Sequence, residues 1–226
     1  VKPRGASSAP RPPQLPWGPL TGLLPESGLE DDETYIALAL DDLDLTAQTA
    51  SGVRVDGALF TRVNLSSTCL ISAHLQDARL ERCDLSGAEW ASLRLERVEF
   101  LGCRLTGWRA VEGRLQDVLF RDCVATLALL WGARLKAVRF EKCLLREASF
   151  GEADLSGVVF KGCDLTGADL RGATLTGADF RGSQVEGLQV AGADLRGAII
   201  DPTQATDFAH LLGLIVSWDD PPAAER

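Results

Sequence analysis

Every fifth residue from Leu40 to Ile200 is apolar, 33 positions in succession without an insertion. Most are Leu or Phe, with Trp90, Val55, Val185, Val190, Ala50, Ala110 and Ala125 among the variants. Neither an ordinary strand, with period 2, nor a helix, with period 3.6, produces this interval. Two residues before each such position the side chain is usually small, as at Ala58, Ala78, Ala133, Ala153, Ala168 and Ala178. Residues two apart on extended backbone point the same way. Each pentad therefore buries one large and one small side chain, exposes its polar residues and then turns, with Gly often easing the corner.

A second interval sets the number of faces. Phe100, Phe120, Phe140, Phe160 and Phe180 recur every 20 residues, as do Cys83, Cys103, Cys123, Cys143 and Cys163. Four pentads per turn give a square coil, and the register accommodates about eight coils. Coils stacked at the usual strand spacing make a column about 40 Å long. Both series become internal ladders, each residue lying on its copy one coil away. Only Cys69 stands outside the cysteine series.

The pentads Ala168-Asp169-Leu170-Arg171-Gly172 and Ala178-Asp179-Phe180-Arg181-Gly182 carry a small residue, an Asp, a large apolar residue and two freer positions. In this the chain resembles the pentapeptide-repeat family over about residues 35–200. The resemblance implies an all-β fold, a right-handed quadrilateral β-helix, and supplies the handedness that periodicity does not.

Three segments follow. Residues 1–34 form a Pro/Gly-rich arm and an acidic edge, Glu30 to Glu33; residues 35–200 form the β-helix; residues 201–226 form a C-terminal cap. The arm is expected either to be flexible or to lie along the solenoid through Trp17, Leu20, Leu23 and Leu24. Asp201-Pro202 reads as an N-cap with Pro at the first helical position. A short helix is expected over Gln204–Leu212, ending at Gly213, followed by the apolar Leu214-Ile215-Val216. In several family members such a helix pairs two chains, so the resemblance implies a homodimer through Phe208, Leu211, Leu214 and Ile215. The alternative is a cap that covers only its own last coil.

Nothing in the sequence marks an enzyme. The only histidines are His74, expected to point outward, and His210 in the cap. Neither shares a local motif with a nucleophile. The glycines follow the pentads rather than a phosphate-binding loop, and the cysteines lack metal-ligand spacing. The cysteine ladder is read as packing, because stacked Cβ atoms about 4.8 Å apart exceed the span of a disulfide. No cofactor and no metal are expected. No run approaches the roughly 18 apolar residues of a membrane span, and the N-terminus lacks a secretory apolar segment. A bacterial cytoplasm is the expected compartment, with no membrane partner.

Two irregularities point to a surface. Trp108 occupies a small-residue slot beside Ala110, as though bulk had moved two residues upstream. Leu127, Leu129 and Trp131 fall at nominally outward positions, forming either a partner site or a patch covered by the N-terminal arm. Charge is also uneven. The whole chain carries −9, whereas residues 101–150 hold 5 acids and 9 bases, and residue 151 to the end holds 12 acids and 5 bases. Arg54, His74, Arg94, Arg114 and Arg134 share one column, either neutralised by neighbours such as Glu96 and Asp117 or left as a basic stripe. The overall acidity disfavours direct nucleic-acid binding.

Some pentapeptide-repeat proteins look like DNA to bacterial type II topoisomerases and protect them from topoisomerase-poisoning antibiotics. The resemblance implies a non-enzymatic DNA mimic that engages DNA gyrase or a related topoisomerase and confers antibiotic resistance. Asp154, Asp164, Asp169, Asp179 and Asp194 are expected to present phosphate-like charge. The rival expectation is a repeat scaffold for another protein, held through Leu127, Leu129 and Trp131.

Overall fold

The computed structural model describes residues 9–16 and 19–217. Eight-residue strands recur at intervals of 20 along most of the column. They are β1 (Thr34–Asp41), β3 (Arg54–Thr61), β5 (His74–Glu81), β7 (Arg94–Leu101), β8 (Arg114–Arg121) and β9 (Arg134–Glu141). Shorter pieces fill other faces: β2 (Thr49–Ser51), β4 (Cys69–Ile71), β6 (Glu89–Ala91) and β10 (Val159–Lys161). All pairings between these strands are parallel and join residues 20 apart, for example Leu95 with Leu115 and Leu115 with Leu135. Beyond the long strands, single bridges continue the same rule, as in the series Asp44, Asn64, Asp84, Arg104, Val124, Leu144, Asp164 and Gln184. This is the four-sided β-helix that the pentads require.

Each long strand bends once, where its fourth residue takes a positive φ. Ala37, Asp77, Arg97, Asp117 and Ala137 occupy this corner with φ between 51° and 55°, and Gly57 with 70°. Non-glycine residues rarely hold that conformation. Here each corner is locked between its copies above and below. Corner N–H groups elsewhere on the coil also bond upward, as Ser72 does to Ala91 O and Leu127 to Arg146 O.

The core is a column. All the fifth-position residues from Leu40 to Val185 are buried, whereas Val190, Leu195 and Ile200 are only half-buried beneath the cap. The phenylalanine rings stack nearly parallel, with centroids 4.8 Å apart for Phe100 and Phe120, 4.7 Å for Phe120 and Phe140, and 5.2 Å for the next two pairs. Trp108 is fully buried against Trp90, Phe100 and Phe120, filling the volume that Ala110 leaves. Its indole N–H has no hydrogen-bond partner among the described residues.

The five cysteines of the ladder are buried free thiols. Each Sγ donates to a carbonyl 23 residues earlier, at 3.3–3.5 Å for Cys83, Cys103, Cys123, Cys143 and Cys163. A thiolate would sit against those carbonyl oxygens, so packing is what the ladder does. Ser183 takes the next slot and donates to Phe160 O.

The upper end closes on a capping box. The Asp201 side chain accepts from the Thr203 and Gln204 N–H groups, and Gln204 Oε1 accepts from Asp201 N–H. A 3-10 turn (Pro202–Gln204) leads into α1 (Ala205–Leu211), a shorter helix than expected because its first turn is tightened. The ring of Phe208 then lies 6.3 Å from that of Phe180. At the lower end, the side chain of Asp31 accepts from the edge amide of Ser51 at 2.7 Å, while Leu24 and Leu29 pack on the core.

The described part of the arm lies along the solenoid, the second of the two expectations. Its described residues descend the corner column: Arg11 contacts Asp117, Gln14 contacts Asp77, and Gly22 pairs with Leu38. Pro16 seats where a Cβ on Gly57 would come within 2.8 Å of its ring, so that corner accepts only glycine. Leu20 is half-buried and Leu23 is 87% exposed; Trp17 lies outside the described residues.

Candidate functional site

The chain offers surfaces rather than a cleft of converging reactive groups. Among the described residues, no cluster of three or more His, Cys, Asp or Glu side chains has metal-binding geometry. No helix is long and apolar enough to cross a membrane. His74 is half-buried, and its ring is pushed down in pKa by burial and then by the charge of Arg94. His210 is exposed on the cap.

The five aspartates of the expected acidic surface do not act alike. Asp164 is buried: its carboxylate accepts from the Arg146 guanidinium and from the Thr166 hydroxyl and N–H. Asp169 accepts two bonds from Arg171, at 2.9 and 2.8 Å, and Asp179 two from Arg181, at 2.9 and 2.6 Å. Asp169 and Asp179 are thus paired within their own repeats and Asp164 with an arginine of the preceding coil, so their expected phosphate-like charge is presented beside guanidiniums. Asp194 accepts from the Gly172 N–H at 2.9 Å. Asp154 is exposed and, among the described residues, its carboxylate accepts only from the Ser156 N–H.

The reason is the pentad itself. Arginine two residues after the aspartate lies within bidentate reach, and the first two D-x-R pentads near the top of the column both fold that way. In the upper coils the exposed carboxylates without ion pairs include Glu147, Glu152, Asp154 and Glu186, while others, such as Asp44, Asp56, Glu112 and Asp122, lie lower on the column, among the described residues. Glu147 and Glu152 stand at successive corners of one coil. They were legible as corner positions, but nothing in the repeat marked them as free.

The apolar surface takes shape around one face. Leu127 is 56% exposed and Trp131 45%, on the corners either side of the face centred on Leu130, with Leu129 half-buried between them. Val124 and Leu144, bridged on adjacent coils, extend this surface around the Leu127 corner. The described arm follows the Asp77/Asp117 corner and leaves Leu127 and Trp131 uncovered.

The basic column is in register, and of its two expected arrangements Glu96 and Asp117 do not supply the neutralised one. Arg54, His74, Arg94, Arg114 and Arg134 pair in register along the strand starts. Glu96 pairs with Arg97, and Asp117 with Arg11. Both acids sit at or beside the corner, where they meet the corner arginine and the arm.

At the cap, the expected interface divides. Phe208 is buried against the last coil, so it serves the cap of its own chain and is not available to a second one. Leu211 is half-buried on the core. Leu214 is 59% exposed and Ile215 93%, with Leu212 beside them.

The family profile for the pentapeptide repeat region matches residues 73–150 and 133–207, and the profile for pentapeptide repeats in eight copies matches residues 40–77. No curated protein matches the chain. Among solved structures, HetL from the cyanobacterium Nostoc sp. strain PCC 7120, a pentapeptide repeat protein involved in heterocyst differentiation regulation, is 22% identical, with a TM-score of 0.51 over 75% of this chain and 85% of that one. It shares the fold. QnrB1, a plasmid-mediated fluoroquinolone resistance protein, is 23% identical in its trypsin-treated form, with a TM-score of 0.41 over 83% of this chain and 100% of that one.

Proposed function

The chain belongs to the pentapeptide-repeat family, and on that premise we propose that it is a non-enzymatic rod that binds a bacterial type II topoisomerase such as DNA gyrase in place of DNA and protects it from topoisomerase poisons. The observation that carries this reading is the unpaired acid of the upper coils. Glu147, Glu152, Asp154 and Glu186 are exposed on the rod and make no ion pair among the described residues. A narrow rod bearing fixed negative charge offers a basic DNA-binding surface what a duplex offers it. Asp194 is a weaker contributor, being tied to Gly172.

In this reading two chains join through Leu214 and Ile215, with Leu211 and Leu212 flanking them, and the protein acts in the bacterial cytoplasm. Isologous pairing at the caps brings the two acidic halves together and doubles the length of the mimic.

The deciding experiment titrates the protein into gyrase supercoiling and poison-induced cleavage assays. Cleavage is expected to fall as protein is added, and the triple variant Glu147→Lys, Glu152→Lys, Asp154→Lys to lose the effect while remaining folded. Unchanged poison sensitivity across the titration overturns the proposal.

A second reading has its own observation. The exposed Val124, Leu127 and Leu144 surface, bordered by Trp131, suits a scaffold for a different protein partner. Leu127→Asp separates the two readings: it abolishes a scaffold contact and leaves poison protection intact.

A further inference from the structure

The Arg94, Arg114 and Arg134 column departs from the pairing that most arginines of the molecule show. Arginines on this solenoid usually meet a carboxylate one coil away: Arg62 meets Asp42, Arg79 meets Glu99, Arg97 meets Asp77, Arg104 meets Asp84, and Arg121 meets Glu141. Side chains one coil apart start about 4.8 Å from each other, so opposite charges there attract and like charges repel. Arg94, Arg114 and Arg134 stand directly on one another, all exposed. None makes an ion pair or a side-chain hydrogen bond among the described residues. Above them is Asp154, whose carboxylate turns to its own Ser156.

The three guanidiniums border a groove of about 540 Å³, within the range of small-molecule sites. Its far side is Trp131. The indole lies over Gly151, where a Cβ would come within 3.0 Å of the ring. Glu112 lies over Gly132 in the same way, 3.6 Å from where a Cβ would stand, and adds one carboxylate to the groove.

Three unneutralised guanidiniums in a line call for a chain of anionic oxygens, each able to take paired N–H bonds. A single carboxylate satisfies one of them and leaves two in mutual repulsion. The indole face calls for a flat ring at the end of that chain, and the Glu112 carboxylate for an N–H or hydroxyl to accept from. We propose that this groove binds a nucleoside polyphosphate, with the phosphate chain along Arg94, Arg114 and Arg134 and the base against Trp131. An acidic peptide fits less well: it makes no use of the indole and meets the charge of Glu112. The proposal is independent of the topoisomerase reading and concerns binding alone.

The test is calorimetric titration of the full chain, without topoisomerase, using ATP, sodium tripolyphosphate, adenosine and a hexaglutamate peptide as probes. ATP is expected to bind saturably and adenosine not to. Arg114→Gln is expected to weaken ATP and tripolyphosphate at least about tenfold. Trp131→Ala is expected to weaken ATP about tenfold and leave tripolyphosphate unchanged. Circular dichroism checks each fold, and Arg94→Gln repeats the test should Arg114→Gln unfold. Absence of saturable ATP binding, or affinity indifferent to both arginine variants, overturns the site. ATP binding indifferent to Trp131→Ala overturns the nucleoside assignment. Hexaglutamate binding that is lost in Arg114→Gln, with ATP inert, assigns the groove to an acidic protein segment and overturns the proposal as well.

Discussion

Arg11 closes on Asp117 across 106 residues of chain: its backbone N–H donates to Oδ1 at 3.1 Å, and Nε and Nη2 donate to Oδ2 at 2.8 and 2.6 Å. Asp117 is buried at the corner of its coil, so the guanidinium supplies the countercharge that burial demands. Two coils below, Asp77 is held in the same manner by Gln14 N–H and by Arg97. Arg11→Ala is therefore expected to release the arm and leave the solenoid folded. Limited proteolysis with mass spectrometry reads this as new cleavage within residues 9–16; an unchanged digestion pattern counts against the clasp.

The same clasp depends on pH. Burial alone would raise the carboxyls of Asp77 and Asp117, but their hydrogen bonds outweigh it: Arg97 and Gln14 for Asp77, Arg11 for Asp117. Both are held below the ordinary carboxylate range. A carboxyl depressed in the folded state stabilises fully above its unfolded value of about 3.9, and that contribution is lost as pH falls through the lower folded value. The arm is expected to stay protected at neutral and mildly acid pH and to open below about pH 4. Hydrogen exchange at the Arg11 and Gln14 amides measures it, and Asp117→Asn should flatten the dependence at Arg11.

Phe140 stacks on Phe120 and Phe160 in the middle of the ladder, at 4.7 and 5.2 Å, and meets Phe150 edge-on. Locked coils above and below leave little freedom to collapse into the space its removal creates. Phe140→Ala is expected to cost about 3–5 kcal/mol, read from the shift of a denaturant midpoint at constant slope. A loss below about 1 kcal/mol would show that the column repacks like an ordinary adaptable core.

The column was legible because its rule is steric and local: a large residue such as Leu95 every fifth place admits one backbone path. The side-chain surface was not, because a pentad fixes where a residue starts and not which partner it reaches. Asp169 could reach along its own strand to Arg171 or across to another coil, and the sequence favours neither. The path of the arm rests on contacts 63 and 106 residues apart. Its trace in the sequence was faint: Asp77 and Asp117 occupy a corner that is small at Ala37, Gly57 and Ala137 but holds Arg97 as well. Phe208 looked like an exposed stripe residue because a helix pattern does not say whether its own last coil or a second chain will cover it.

Thiol chemistry separates packing from sensing. Cys69 is half-buried, whereas Cys83, Cys103, Cys123, Cys143 and Cys163 are 1–2% exposed. Under native conditions alkylation is expected to modify Cys69 alone, and all six cysteines only after unfolding. Rapid native labelling anywhere on the Cys83 series would overturn its assignment to packing.

Gln204 closes the column with a single buried side chain. Its Nε2 donates to Phe180 O and to Ser183 O, both at 2.7 Å, and its Oε1 accepts from the Asp201 N–H. The last coil has no further strand to take those carbonyls, so the amide stands in for the missing backbone. Gln204→Ala leaves Ser183 O without its donor and Phe180 O with only the Ser183 N–H, at about 1–3 kcal/mol, and removes half of the capping box. Because the solenoid is coupled only between neighbours, the damage is expected to stay local. Hydrogen exchange should quicken at Phe180 and Ile199 while the Leu115 and Leu135 amides keep their protection. Uniform loss of protection along the whole rod would instead mean that the cap governs global stability, and that the coils unfold as one cooperative unit.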